Sequence, residues 1–254
     1  MIAAGVSYLD EGSGPPLVLL MGLGADATAW APHVEAWAQQ HRCIAIDNRG
    51  SGGSPLGDEI LSTRAMADDT ARLIEALELG AVQVVGISMG ACIAQELALA
   101  RPELVSRMAL VAPWSRCDPF TQSVLEVLSR VRATNDTRAF NELLRNTVWT
   151  PEWINAHSTT MESTLAAIPT ISSDAFAAQA FACARHDADD RLPELQTPTL
   201  VTLGTEDVFI RDALSLRVAD RMPNAQTHAF AGLGHVHHWE ALDEFNTLIE
   251  KWMR

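Results

Sequence analysis

Residues 82–100 read VQVVGISMGACIAQELALA. Val82 to Val85 is a short β-branched run suited to a buried strand. Ala91 to Ala100 carries Ile93, Leu97, Ala98 and Ala100 at helical spacing. Between them lies Gly86-Ile87-Ser88-Met89-Gly90, a G-x-S-x-G sequence on a strand-to-helix turn. So sharp a turn requires glycine on both flanks, because a Cβ there would clash. The Ser88 hydroxyl is then expected to stand exposed above a sheet edge at a helix N-terminus, where developing negative charge is favoured.

Outward from this turn, short apolar strands alternate with helical patterns. Strands are expected at Val6–Asp10, Leu17–Met21, Cys43–Asp47, Val82–Gly86, Met108–Ala112, Thr199–Leu203 and Gln226–Phe230. Helices fit Ala27–Gln39, Thr63–Leu79, Met89–Ala100, Asp212–Arg221 and Glu240–Trp252. The alternation predicts an α/β fold: a mostly parallel central sheet with helices on both faces. It breaks between about Trp114 and Asp190, where four helical stretches (roughly 119–133, 136–147, 151–167 and 173–186) appear without a strand. Such an insertion would sit over the carboxyl ends of the strands, where open α/β sheets bind ligands. Residues 1–113 and 191–254 are therefore read as the core, and 114–190 as a helical cap over the site.

A chain of 254 residues with 48% apolar and 20% charged residues is ordinary for a globular protein. Its net charge is −14, Lys251 is its only lysine, and no basic run occurs, which argues against nucleic-acid binding. Cys43, Cys92, Cys117 and Cys183 are widely spaced, without metal-ligand spacing, and read as reduced thiols of a cytoplasmic protein. No apolar run reaches the ~18 residues of a membrane span, and the first 24 residues lack the basic start of a signal peptide. No metal or cofactor is expected, the partner is a small-molecule substrate, and oligomeric state is not legible.

A serine hydroxyl needs a base, and the base an orienting carboxylate. One chain order for such a set is serine, acid, histidine. After Ser88, the strand TLVTLG ends in Gly204-Thr205-Glu206-Asp207, and Gly232-Leu233-Gly234-His235 follows the last strand. Asp207 and His235 thus fall on loops at the same sheet edge as Ser88. Glu206 and Asp118 are competing acids, and His237 and His238 competing bases. The backbone N–H groups of Met89 and of Leu23, in Met21-Gly22-Leu23-Gly24, are the candidate oxyanion donors. Trp114, Trp149 and Trp153 are candidates to line the pocket with Met89, with core packing as their alternative role. His157 and His186 could touch substrate from the cap, and Arg116 is the nearest candidate for a substrate carboxylate.

Gly22-Leu23-Gly24-Ala25-Asp26-Ala27 also fits G-x-G-x-x-G/A, with Asp47 ending the next strand, as in nicotinamide-dependent oxidoreductases. That reading leaves Ser88, Asp207 and His235 as coincidences, and Val6–Asp10 precedes what should be the first strand. A ligand receptor that retains these residues without turnover is a further alternative.

Along nearly its whole length the chain resembles the α/β-hydrolases. The resemblance rests on Gly22-Leu23-Gly24, Asp47-Asn48-Arg49-Gly50-Ser51-Gly52, Gly86 to Gly90, Gly204 to Asp207 and Gly234-His235-Val236-His237-His238-Trp239-Glu240. It implies Ser88 as nucleophile, Asp207 as orienting acid and His235 as base, and makes the D-x-R-G-x-G stretch structural. The nearest subgroup is that of 3-oxoadipate enol-lactonases and similar small-molecule hydrolases, whose helical caps carry a stretch like Trp149-Thr150-Pro151-Glu152-Trp153. Trp114 to Asp118 resembles the aminoacrylate hydrolases. Serine hydrolysis of a small carboxylic ester or lactone is the implied activity, with amide or carbon–carbon bond hydrolysis as alternatives on the same fold. Two positions depart from the family: Met21 where histidine is usual, and Ala91 where a second glycine is usual.

Overall fold

The computed structural model describes residues 1–159 and 171–254. Its strands are β1 (Ile2–Ala3), β2 (Val6–Gly12), β3 (Pro16–Leu20), β4 (Arg42–Ile46), β5 (Val82–Ile87), β6 (Val105–Val111), β7 (Thr199–Gly204) and β8 (Ala225–Phe230). They form one sheet in the order β1-β2-β4-β3-β5-β6-β7-β8. The β1–β2 and β2–β4 pairs are antiparallel, and every other pair is parallel.

Alternation along each strand explains the layers. Val18, Leu20, Ile44, Ile46, Val84 and Leu110 point to one apolar cluster, and Leu17, Leu19, Cys43, Ala45, Val85 and Val111 to the other. A strand buried on both faces reads as a continuous apolar run, which is why the sequence marks these strands so clearly. The two-residue β1 lies below what periodicity can detect. The helix expected over Ala27–Gln39 is a 3-10 turn (Ala27–Trp30) followed by a helix at Ala31–Trp37, because Pro32 fits only a helix's first turn. The last helix is likewise split, into His237–Glu240 and Leu242–Met253.

Between β6 and β7 the described residues hold helices at Pro119–Ala133, Thr137–Val148, Pro151–Ala156 and Ser173–Ala184. Side chains of Asp118, Asp136, Thr150 and Ser172 accept the first-turn N–H groups of these helices. The later part of the helix expected over 151–167 lies outside the described residues. All four cysteines are free and buried, and no described helix is long and apolar enough to cross a membrane.

Candidate active site

The β5 turn holds Ser88 at φ 54°, ψ −115°, a left-handed conformation that costs an L-residue energy unless its surroundings enforce it. They do. A Cβ on Gly86 would collide with the Gly90 carbonyl, and one on Gly90 with the Leu20 carbonyl of β3. Ala91, the family departure, packs fully buried in the core beneath the turn. Met89 opens the helix Met89–Ala100, so its N–H has no partner one turn earlier.

The loops after β7 and β8 bring Asp207 and His235 to this serine. His235 Nε2 lies 3.0 Å from Ser88 Oγ, and His235 Nδ1 lies 2.8 Å from Asp207 Oδ2. The other Asp207 oxygen, Oδ1, accepts the N–H groups of Phe209 and Ile210, each at 2.8 Å. These bonds fix the carboxylate's orientation, and with it which imidazole nitrogen carries the proton. All three side chains are at most 6% exposed, so their interactions are little screened by water.

Of the competing residues, Glu206, Asp118 and His237 do not line the cavity at Ser88, whereas His238 does, buried against His33 and Phe245 and bonded to neither Ser88 nor Asp207. Glu206 is exposed beside Asp207. Asp118 caps its helix through Thr121 N–H and pairs with Arg211 at 2.6 Å. His237 is tied to Thr202 Oγ1 and the Gly234 carbonyl, at 3.0 and 3.2 Å. Asp47, the acid of the dinucleotide fingerprint, accepts Ala27 N–H with one oxygen and Gly53 N–H with the other. Both its oxygens are thereby committed to the protein's own backbone, and a ribose hydroxyl would have to displace them.

A cavity of about 590 Å³ opens on Ser88 and His235. One wall is the loop Met21–Asp26. The opposite wall comes from the helical stretch, through Leu128, Phe140, Leu144, Val148 and Trp149. Asn141, Leu144, Arg145 and Val148 are spaced as one helix face, and that face meets the cavity. Of the three tryptophans expected there, only Trp149 lines it. Trp114 is 1% exposed and packs edge-on to His186, in the core beneath. Trp153 stacks on the far side of Trp149 at 4.0 Å between ring centroids and backs it. His186 bonds Thr63 Oγ1 at 3.0 Å, away from the cavity, and exposed His157 stacks on Trp153.

Arg116 is also not a cavity residue. It is exposed and pairs with Asp187 and Asp190, at 2.8 and 3.4 Å. The cations of the wall are Arg132 and Arg145, which the sequence reading missed. Arg132 donates to the Ile171 carbonyl at 2.6 Å and lies over the Phe140 ring; Arg145 touches Asn146. Among the described residues neither meets a carboxylate, whereas Arg42, Arg49, Arg191, Arg211 and Arg217 all do. The wall's own carboxylate, Asp26, is held by Thr28 N–H.

Burial pushes the imidazoles of His33, His186 and His237 from 6.5 down to about 4. They stay neutral in the folded protein, while an unfolded chain protonates them below about 6.5. This stabilisation is complete above pH 6.5 and is lost as pH falls toward 4. Lowering pH from 7.5 to 5 is expected to cost on the order of 2 kcal/mol per histidine. Urea unfolding at the two pH values measures it, and an unchanged midpoint would contradict it.

Residues 15–242 match the alpha/beta hydrolase fold family. BpoC of Mycobacterium tuberculosis, provisionally named a non-heme bromoperoxidase, is 34% identical over 97% of each chain. Its crystal structure superposes with a TM-score of 0.89 over 97% of this chain and 94% of that one. RutD of Azorhizobium caulinodans, provisionally named a carbamate hydrolase, is 28% identical over 97% of this chain and 94% of its own. The enol-lactonase of Burkholderia xenovorans shares the fold, with a TM-score of 0.89 at 21% identity over 97% of this chain and 95% of that one. The match runs from β3 to the last helix and takes in the serine turn and the loops that carry Asp207 and His235; the chain belongs to the alpha/beta hydrolase fold family.

Proposed function

We propose that the protein is a serine hydrolase acting on a small carboxylic ester or lactone. The observation that carries this reading is the unbroken chain Asp207–His235–Ser88, opening on an apolar cavity. Ser88 Oγ attacks the carbonyl carbon while His235 Nε2 takes its proton. The N–H groups of Leu23 and Met89 receive the oxyanion; among the described residues, neither donates to a protein group. Collapse of the tetrahedral intermediate expels the alkoxide, which His235 protonates. A water activated by His235 then cleaves the acyl-enzyme, releasing the acid and restoring Ser88. The helices of residues 114–190 act as the cap, excluding water and selecting the acyl group by shape. The relative named as a carbamate hydrolase supports chemistry at an acyl carbon. Turnover of a short p-nitrophenyl ester, with an acyl adduct located on Ser88 by mass spectrometry, is the test. Absence of both would leave a receptor.

The guanidinium of Arg132 on this wall meets the Ile171 carbonyl and the Phe140 ring but, among the described residues, no carboxylate, which narrows the proposed acyl group to one ending in a carboxylate. A charge-assisted hydrogen bond in such a setting is worth roughly 1.5–3 kcal/mol. Arg132→Met is expected to lower kcat/KM for the mono-p-nitrophenyl ester of glutaric acid by about tenfold or more. It should leave p-nitrophenyl butyrate within twofold. Equal losses on the two esters would make Arg132 a packing residue.

A further inference from the structure

Gln179 belongs to the helix Ser173–Ala184 yet touches the serine turn's neighbour rather than the helix's own surroundings. It is fully buried. Its Oε1 accepts Gly24 N–H at 3.0 Å. Its Nε2 donates to the Arg49 carbonyl at 2.8 Å and to Ser51 Oγ at 3.0 Å. Both amide hydrogens are used, and the amide fits in one sense only, since the flipped group would face Gly24 N–H donor to donor. The side chain is thus a rigid bracket between three segments distant in sequence.

What it holds is a glycine-bounded turn closed from within by a single long backbone hydrogen bond, Ala25 N–H to the Gly22 carbonyl at 3.4 Å. Leu23 is flanked by Gly22 and Gly24, and Gly24 sits at φ +82°. Glycine on both sides leaves the direction of the Leu23 N–H undetermined by local sterics. External groups supply the rest of the constraint. Asn48 Nδ2 donates to the Met21 carbonyl at 3.0 Å, and Asp47 accepts Ala27 N–H at 2.8 Å. Between these two fixed points, Gln179 is the side chain that fixes the Leu23–Gly24 peptide and, through Leu23, limits the rotation of the adjoining Gly22–Leu23 peptide that carries the Leu23 N–H. Phe176, one turn earlier on the same helix, closes the space above Gly24, where a Cβ would meet its ring at 3.0 Å.

We propose that Gln179 is a positioning residue that sets the Leu23 N–H for the oxyanion, so that oxyanion stabilisation depends on a helix of the cap. The inference rests on the serine-hydrolase reading above. Donors aimed in advance at the oxyanion contribute to kcat, whereas ground-state binding contributes to KM. Loss of a whole oxyanion donor typically costs ~10²–10³ in kcat. A displaced donor should cost less, about 10–100-fold.

The test uses the full chain with a p-nitrophenyl ester and with a boronic acid, whose adduct on Ser88 places a tetrahedral oxygen in the same donors. Gln179→Met removes all three hydrogen bonds at nearly constant volume. It is expected to lower kcat 10–100-fold, hold KM within about threefold, and weaken the boronic acid in parallel with kcat. Ala182→Gly, on the same helix and also buried, loosens the helix without touching the loop and should keep kcat within about twofold. If Gln179→Met fails to fold, Ser51→Ala removes one anchor of the Gln179 amide and should lower kcat several-fold at constant KM. Wild-type kcat in whichever variant folds, or a loss matched by Ala182→Gly, overturns the inference. A wild-type protein with no ester turnover and no adduct on Ser88 overturns the serine-hydrolase reading itself.

Discussion

Ser88→Ala is expected to lower kcat for a short p-nitrophenyl ester by at least ~10³-fold, because residues that act as one catalytic unit lose most of the effect when any is removed. The expectation comes from geometry. Ser88 is 5% exposed, held at a strained φ of 54°, and 3.0 Å from His235 Nε2. Removing the hydroxyl deletes the atom that would carry the acyl group and leaves the turn intact, since Gly86 and Gly90 determine its shape. Stability should hold or rise slightly, as alanine leaves no hydroxyl to satisfy. An organophosphonate should label the wild-type protein at Ser88 and leave the alanine variant unlabelled. Retention of more than a tenth of the activity would rule out Ser88 as nucleophile and direct attention to a water activated by His235.

Much of this was legible before any coordinates. The core strands are runs such as Leu17–Leu20 and Cys43–Ile46, apolar at every position because the sheet is covered on both faces. Ser88, Asp207 and His235 announced themselves because each follows a strand at the same sheet edge, so topology alone brings them together. Sequence could not say which way a tryptophan of residues 114–190 faces. Trp114 follows β6 directly and turns inward, while Trp149, at the end of a helix, reaches the cavity. Nor could it select Arg132 over Arg116. That choice depends on Asp187 and Asp190 lying 71 and 74 residues away in sequence from Arg116. Gln179, in an alanine-rich helix, gave no signal at all, since its partners Gly24, Arg49 and Ser51 are at least 128 residues distant.

Asp207→Asn should cost on the order of 10³–10⁴ in kcat while leaving the fold intact, because it removes the acceptor that determines which imidazole nitrogen is protonated. In the wild-type site Asp207 Oδ1 takes two backbone N–H groups, which pins the carboxyl plane and aims Oδ2 at His235 Nδ1. In the variant, the amide oxygen is held by those same two N–H groups. The amide NH2 is then left facing His235 Nδ1. That donor favours the tautomer with a bare Nδ1 and a proton on Nε2. A protonated Nε2 can no longer accept the Ser88 proton, and the variant also lacks the charge that stabilises the imidazolium in the transition state. Substrate binding does not use Asp207, so KM should stay within a fewfold and the loss should fall in kcat. The measurement is steady-state kinetics of Asp207→Asn beside Asp118→Asn. Asp118 serves its helix and Arg211, so its variant should be only mildly affected. Were Asp118→Asn the crippled enzyme and Asp207→Asn the active one, the acid would be Asp118, and the site would have to rearrange from the geometry seen here to use it.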